Sequence, residues 1–573
     1  MEEAKKIKPI IPRNTFMQTG QSYRMFMKKG YKVLPKLEID KTHMRYDHRY
    51  NTDDQAAKIL KLFKTLKYVP NLNLSKLLLT TRTFYLPRVL YLIKKMSKAH
   101  TTFVYDVKMA EENYKGISDV WLRKAPKLKT LGYAFDYRKK LGSRTINDEN
   151  TSKNFAAFFH GLKYQSHLKE IYLQVPPGSG SFSDEFWNFE RYPNTLERLS
   201  LKQINSYKPL TNNTSLSHLK NLRHLELTFS SQSSNEFITS VFQSLPLLSS
   251  HLQSLSLSWP SNFTPDLQGI KALNQVKQLK INLAFNELND FGPLLGAFSD
   301  LSLSHLSLTA QIKSEELLVP ISTFLENFKN LEHLKLQVTN EQSFTSRNRI
   351  QETLGIIDNL SLLKTLSVSI VARSQENQLP IEFHPVMAKI FTKPIPLESF
   401  KIELRSVSLF HQEFLQLFKS LQLLASNLKK LQIDIGNYNP TKSEEQTVLD
   451  FIKSLKTSRT LRLESLSLPN DKFFIGIVDV LNHLPFLESV AFGEVKEDVT
   501  PELFVANVEQ ILSKRGLQGF ECHSSSGFKD KLKQNSADLD LQKILKKNPS
   551  LKTTPQIPIY NKNTPPTFQL NLW

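Results

Sequence analysis

The feature that most constrains this chain is a six-residue pattern, L-x-x-L-x-L, that returns about every 29 residues from residue 168 to residue 522. Its clearest copies are LERLSL from Leu196, LRHLEL from Leu222, LQSLSL from Leu252, LSHLSL from Leu303 and LEHLKL from Leu331. Looser copies begin at Leu168, Val276, Leu363, Leu397, Leu428, Leu463, Leu487 and Leu517. Repetition at this period is typical of a chain built from stacked copies of one small unit.

Four weaker copies extend the series toward the N-terminus. They are LKTLGY from Leu128, HTTFVY from His100, VPNLNL from Val69 and LPKLEI from Leu34. Their starts are 28 to 40 residues apart, which fits the longer repeats of the main series. We therefore predict that the repeats begin near residue 34.

Each repeat combines a strand pattern with a helix pattern. The alternation in x-L-x-L predicts a short strand with one buried face. Between strands lie segments such as residues 411–424, HQEFLQLFKSLQLL, whose apolar residues are spaced for one face of a helix. Neither element buries its apolar face alone, so neighbouring repeats must stack with their strands in a parallel sheet. The pattern leucines should then be buried: Leu199, Leu201, Leu225, Leu227, Leu306, Leu308, Leu334 and Leu336.

This pattern resembles the leucine-rich-repeat family, and its repeat length is similar to that of the ribonuclease-inhibitor-like, long-repeat group. The resemblance implies an α/β solenoid, or horseshoe, with parallel strands on the concave face and helices on the convex face. The family's Asn or Cys at the ninth position is replaced here, as by Ser230, Thr339 and Gly436. An asparagine ladder is therefore missing, and we expect irregular loops.

The distribution of charge divides the chain into three predicted parts: a basic arm (1–33), the solenoid (34–523), and a helix with a Pro-rich tail (524–573). Residues 1–150 hold 32 basic and 14 acidic residues, out of a net charge of +21 for the whole chain. Such a positive region would attract an acidic partner, either nucleic acid or an acidic protein. One basic cluster follows the strand near Leu131: Arg138, Lys139, Lys140 and Arg144.

The sequence gives no sign of catalysis. Phosphate-binding glycine loops, a G-x-S-x-G elbow and an H-E-x-x-H pair do not occur in it. Its one cysteine, Cys522, excludes an internal disulfide and a thiolate-rich zinc site, and we expect it to be buried in the core. No stretch approaches the roughly 20 apolar residues of a membrane span. We predict a non-enzymatic protein without cofactor or metal, cytoplasmic, with an organelle or the nucleus as alternatives.

Residues between the pattern leucines should point to the face opposite the core, because side chains alternate across a strand. On a curved repeat protein this face commonly binds partners. The charged and histidine residues at these positions form the candidate partner-binding set: Arg198, His224, Glu226, Lys280, His305, His333, Lys335, Lys401 and Lys430.

These observations predict an interaction scaffold that binds a protein partner. Two alternatives stay open. One is a substrate adaptor of a ubiquitin ligase, since F-box proteins often carry such repeats. The dipeptide Leu34-Pro35 could begin an F-box, but a strand-like segment follows it and Trp121 lies too far away to end one. The other is a subunit of a ribonucleoprotein, suggested by the basic N-terminal region, although an aromatic-glycine RNA-binding motif is missing.

Overall fold

A computed structural model of the 573-residue chain divides into two compact units, Met1–Leu331 and Glu332–Trp573. The structure describes residues 37–39, 43–47, 76–81, 101–106, 128–135, 158–174, 187–204, 209, 215–230, 233–259, 268–284, 291–340, 352–372, 391, 394–405, 411–434, 438–514, 516–517 and 519–534. The predicted basic arm (1–33) and the Pro-rich end of the tail lie outside these residues.

The strands of the first unit follow the repeats. They are β1 (Leu37–Ile39), β2 (His43–Asp47), β3 (Lys76–Thr81), β4 (Thr101–Asp106), β5 (Thr130–Phe135), β6 (Glu170–Gln174), β7 (Arg198–Ile204), β8 (His224–Phe229), β9 (Ser254–Trp259), β10 (Gln278–Ala284) and β11 (His305–Ile312). From β2 to β11 each strand pairs parallel with the next one. β1 instead pairs antiparallel with β2.

The second unit is built in the same way. Its strands are β12 (His333–Asn340), β13 (Thr365–Ala372), β14 (Ser399–Arg405), β15 (Lys430–Asp434), β16 (Thr460–Leu463), β17 (Ser489–Val495) and β18 (Gly519–Ser524). Every neighbouring pair from β12 to β18 is parallel. Pattern positions stay aligned across these pairs, as where Leu334 lies opposite Leu366.

Helices connect the strands of both units. The first unit has α1 (Asn235–Ser244), α2 (Gln268–Lys271), α3 (Phe291–Gly296) and α4 (Leu318–Glu326), together with short 3-10 turns. The second unit has α5 (His411–Gln422), α6 (Lys442–Ser454), α7 (Asp471–Asn482), α8 (Pro501–Ser513) and α9 (Ser526–Gln534). The last of these lies in the segment where the sequence predicts a C-terminal helix.

The core lies between the sheet and the helices. All eight pattern leucines expected to be buried are at most 2% exposed. Phe229 of β8 contacts Phe237 of α1, with ring centroids 6.2 Å apart, so the buried side of the strands faces the helix layer. Both units therefore have the predicted fold class, an α/β stack of leucine-rich-repeat type with a parallel sheet and helices on one of its faces.

The structure corrects the position of several repeats. β16 begins at Thr460, so its repeat is SRTLRL from Ser458 and not LESLSL from Leu463. Leu466 and Leu468 are buried but lie outside β16, and each makes an isolated parallel bridge, to Tyr438 and Val495 respectively. With this correction the intervals on either side become 30 and 29 residues, in place of 35 and 24.

Two of the weak N-terminal copies are also shifted, and a third is not a parallel repeat. β3 shows that LSKLLL from Leu74 is the repeat, not VPNLNL from Val69. In β4, Thr102 lies opposite Leu131, which moves the predicted register of HTTFVY by one residue. LPKLEI from Leu34 contains β1, whose antiparallel pairing means that it is not a parallel repeat. These segments do form strands, but the spacing of their leucines alone does not fix the register.

Candidate binding surface

The face of each sheet that points away from the helices is formed by the third, fifth and seventh residues of every repeat. We call it the open face. Its side chains alternate with buried ones, as in β8 and β11, where half-buried and buried residues follow each other along the whole strand. The period of two in the strand therefore separates a leucine core from a polar surface.

A hydrogen-bonded cluster occupies the open face of β5 to β8. The carboxylate of Glu170 accepts bonds from Thr130 Oγ1 at 3.1 Å and from the Tyr172 hydroxyl at 3.4 Å. Arg198 lies opposite Glu170 on the next strand and also hydrogen-bonds Tyr172. Burial, followed by repulsion from Glu170, raises the pKa of Tyr172, while Arg198 opposes this rise. The phenol is thus a neutral donor at physiological pH.

The next strand adds a second carboxylate to this cluster. Glu226 accepts a 2.6 Å hydrogen bond from Ser200 Oγ and pairs with Lys202 Nζ at 3.3 Å. Burial, together with the positive charge of Arg198, lowers the pKa of His224. The imidazole is therefore neutral at neutral pH, and the cluster combines paired charges with neutral donors and acceptors.

The open face of β9 and β10 is formed mainly by uncharged polar side chains. Its residues on β9 are Ser254, Ser256 and Ser258, and those on β10 are Gln278, Lys280 and Asn282. All three residues of β10 are exposed, whereas the three serines of β9 are half-buried. Lys280 is the one charged residue among these six.

A second cluster lies on β14 to β18 of the other unit. Arg462 bonds Glu464 at 2.7 Å and Glu521 at 2.6 Å, and Glu464 also accepts a 3.5 Å bond from Gln432. Arg462 and Glu521 are two strands apart, and the residue between them in the register is Ala491. The small Ala491 side chain leaves room for the guanidinium to cross to β18. Lys401 and Glu403 form a further pair at 3.6 Å.

The structure places the predicted surface residues on the open face, with differing surroundings. Arg198, Glu226 and Lys401 belong to the clusters, and His224 lies beside the first. Lys280, Lys335 and Lys430 are exposed, whereas His305 and His333 are half-buried and lie in different units. The basic residues Arg138, Lys139, Lys140 and Arg144 lie outside the described residues.

Several residues of these clusters were missed by sequence reasoning. Arg462 was missed because the repeat was placed at Leu463. In the repeat SRTLRL from Ser458, which fits the regular spacing, Arg462 is the fifth residue and belongs to the open face. Lys202, Glu403 and Glu464 occupy the seventh position, just beyond the six-residue pattern. Extending each six-residue pattern to its seventh residue would have included them.

Other kinds of site can be checked in the described part of the chain. No group of three or more His, Cys, Asp or Glu side chains there could hold a metal ion. None of the described helices is both long and apolar enough to cross a membrane. Cys522 is half-buried as a residue, but burial of its sulfur raises the pKa of the thiol to about 12. This thiol is therefore protonated at physiological pH.

Comparison with known proteins gives little beyond this geometry. No family model matches the chain, and no curated protein matches it. A chain of the Rad7 and Elc1 complex in yeast is similar over 82% of this chain and 90% of that chain, with 13% identity and a TM-score of 0.35. Similarity at that level carries no argument about function, which must come from the residues themselves.

Proposed function

We propose that this protein is a non-enzymatic scaffold that binds a protein partner through its open faces. The observation that supports it is the pair of cross-strand clusters, on β5 to β8 and on β14 to β18. Within them, Glu170, Glu226 and Glu464 each accept at least two polar contacts. The charged groups are therefore fixed in place before a partner arrives.

Fixed polar groups suit binding for an energetic reason. A side chain that is already held loses less conformational entropy on association, so more of the contact energy becomes affinity. Charges in fixed positions also favour a partner with complementary charges and repel others. The hydroxyl and amide groups of β9 and β10 can exchange their bonds to water for bonds to a partner.

The two other functions are not favoured by a specific observation. An F-box beginning at Leu34-Pro35 would be helical, but β1 and β2 form an antiparallel pair in that segment. A ubiquitin-ligase adaptor would thus need another segment for its ligase. A ribonucleoprotein role depends on the basic N-terminal residues, most of which lie outside the described part of the chain.

The test is to block the open face without changing charge. Thr309→Tyr and Thr365→Tyr add bulk to half-buried positions on the open faces of the two units. The matched control carries Gln422→Tyr and Gln510→Tyr, at exposed positions in the helix layer. Each full-length variant is used for affinity purification, and the captured proteins are quantified by mass spectrometry.

We expect a defined set of proteins to be retained by the wild type and the control and lost, by about tenfold or more, from the open-face variant. Equal capture by both variants would contradict the proposal. Loss of all captured proteins after nuclease treatment would instead favour the ribonucleoprotein function.

A further inference from the structure

Three lysines on the open faces differ from the other charged residues there. Lys280, Lys335 and Lys430 are exposed, and no acidic group of the described residues pairs with any of them. The open-face carboxylates behave differently, since Glu170, Glu226, Glu403, Glu464 and Glu521 all have polar partners. Among the described residues, these acids are thus engaged within the protein, while the three lysines have no acidic partner.

Hydroxyl side chains lie beside each of the three lysines. In the sheet register, Lys280 has Ser256 on one side and Ser307 on the other. Neighbouring strands are about 4.8 Å apart, so these hydroxyls flank the base of the lysine side chain.

The same arrangement occurs twice in the second unit. Lys430 lies between Ser399 and Thr460, and Lys335 lies beside Ser367. A lysine flanked by hydroxyl residues is thus found on both open faces, in three separate repeats.

The protein itself shows what such a set of donors can hold. The carboxylate of Glu226 is bound by a serine hydroxyl, Ser200, and a lysine ammonium, Lys202. A hydroxyl and an ammonium are the donors that a carboxylate accepts well, and bonds between charged partners are the stronger ones. The three lysine rows present the same donors, and no carboxylate of the described residues occupies them.

We infer that these rows, one on the first unit and two on the second, are subsites for Asp and Glu side chains of acidic segments in a protein partner. The inference rests on the proposed function and adds the chemistry of the partner. A nucleic acid fits less well, because its closely spaced phosphates would also meet the carboxylates of Glu226, Glu403 and Glu464. A partner with spaced carboxylates can contact the lysines and avoid these acids.

The experiment measures fluorescence anisotropy of a labelled, capped peptide of about ten residues that alternates Glu and Thr, titrated with the full-length protein. Its twin alternates Gln and Thr. The variant carries Lys280→Met, Lys335→Met and Lys430→Met, which removes the charges and keeps most of the side-chain length. The matched control carries Lys271→Met, Lys419→Met and Lys472→Met, at exposed positions in the helix layer.

We expect wild type and control to bind the Glu peptide at least about tenfold more tightly than the Gln peptide at low salt, the scale of one or two charge-assisted bonds. The open-face variant should lose this preference, and Lys→Arg at the same three positions should restore it. Equal binding of the two peptides by the wild type, or an unchanged preference in the open-face variant, would overturn the inference. So would tighter binding of single-stranded RNA through the same lysines.

Failure here is distinguishable from failure of the proposed function. The tyrosine variants block the open faces without removing a charge. If they lose the captured proteins while the Lys→Met variant retains them, the scaffold function stands and the acidic-segment inference fails.

Discussion

Among the described elements, the helices of the two units differ in length more than the strands do. In the first unit, α2 and α3 have 4 and 6 residues, and 3-10 turns fill other connections. In the second, α5 to α8 have 12 or 13 residues each. The strands of both units nevertheless keep the same register of buried leucines. The repeat thus fixes the sheet and leaves the connecting segment free to vary.

Aromatic side chains pack between the connecting elements of both units. In the first unit, Trp187 meets Phe189 and Phe237 in edge-to-face contacts at 5.4 and 5.3 Å, filling the space beside short elements. In the second unit, stacked pairs join the helices of successive repeats. Phe418 of α5 stacks on Phe451 of α6 at 4.6 Å. Both ring geometries occur between helices of the second unit, because Phe504 of α8 meets Phe528 of α9 edge to face at 5.2 Å.

The largest expected effect is loss of a core ring. Phe242→Ala in α1 and Phe474→Ala in α7 remove fully buried rings, one from each unit. Each should lower the free energy of unfolding by about 3–5 kcal/mol through lost burial and a remaining cavity. Since repeats contact mainly their neighbours, hydrogen exchange should increase most in adjacent repeats of the same unit. Equal loss of protection throughout the chain would contradict this local coupling.

The fold could be predicted because burial has a simple signature in each repeat. Leu225 and Leu227 are apolar at alternate positions, and the parallel register repeats that requirement in every neighbour. The signature fails where burial has another cause. Leu466 and Leu468 look like strand leucines and are buried, but they lie outside the named strands and each makes only one isolated bridge. An apolar pattern therefore predicts burial more reliably than it predicts a strand.

The surface clusters were harder to predict because their partners are distant in sequence. Arg462 and Glu521 are 59 residues apart and meet only because Ala491 stands between them. Such a contact depends on the reach of a long side chain over a short one. The alternation of the strand indicates which face a residue occupies, but not which neighbour it will bond.

A smaller effect is expected from the helix caps, and it sharpens the comparison of the two helix layers. Asn470 caps α7 by accepting a 2.9 Å bond from Phe473 N, and its amide also donates to the buried Glu445 at 2.8 Å. Ser234 caps α1 through one bond, from Phe237 N at 3.2 Å. Ser234→Ala should cost about 1 kcal/mol.

Asn470→Ala should cost more, about 2–3 kcal/mol, because it also removes a partner from a buried carboxylate. Denaturant unfolding followed by hydrogen exchange in each unit measures both losses. The control is Asn470→Ser, which keeps a capping oxygen but removes the amide donor to Glu445. Equal costs for the two alanine substitutions would show that the Asn470–Glu445 contact between the helices adds nothing to the cap.

The smallest expected effect concerns the ion pairs at the edge of each sheet, formed by the second residues of neighbouring repeats. Lys169 pairs with Glu197 at 2.6 Å in the first unit, and Arg459 pairs with Glu488 at 3.4 Å in the second. Both pairs are largely exposed, so each should contribute only about 0.2–1 kcal/mol. A double-mutant cycle with Lys169→Met and Glu197→Gln measures the first, and one with Arg459→Met and Glu488→Gln measures the second.

The pH dependence of the first pair follows from the charge on Glu197. The hydrogen bond from Lys169, together with its positive charge, lowers the pKa of Glu197 in the folded protein. The coupling energy should therefore be fully present above the unfolded-state pKa of about 4.3 and decline as the pH falls through the lower folded-state value. Salt should weaken it as well, because the pair is exposed. A coupling energy that is unchanged between neutral pH and pH values well below 4 would mean that the 2.6 Å contact contributes through packing of the lysine chain rather than through charge.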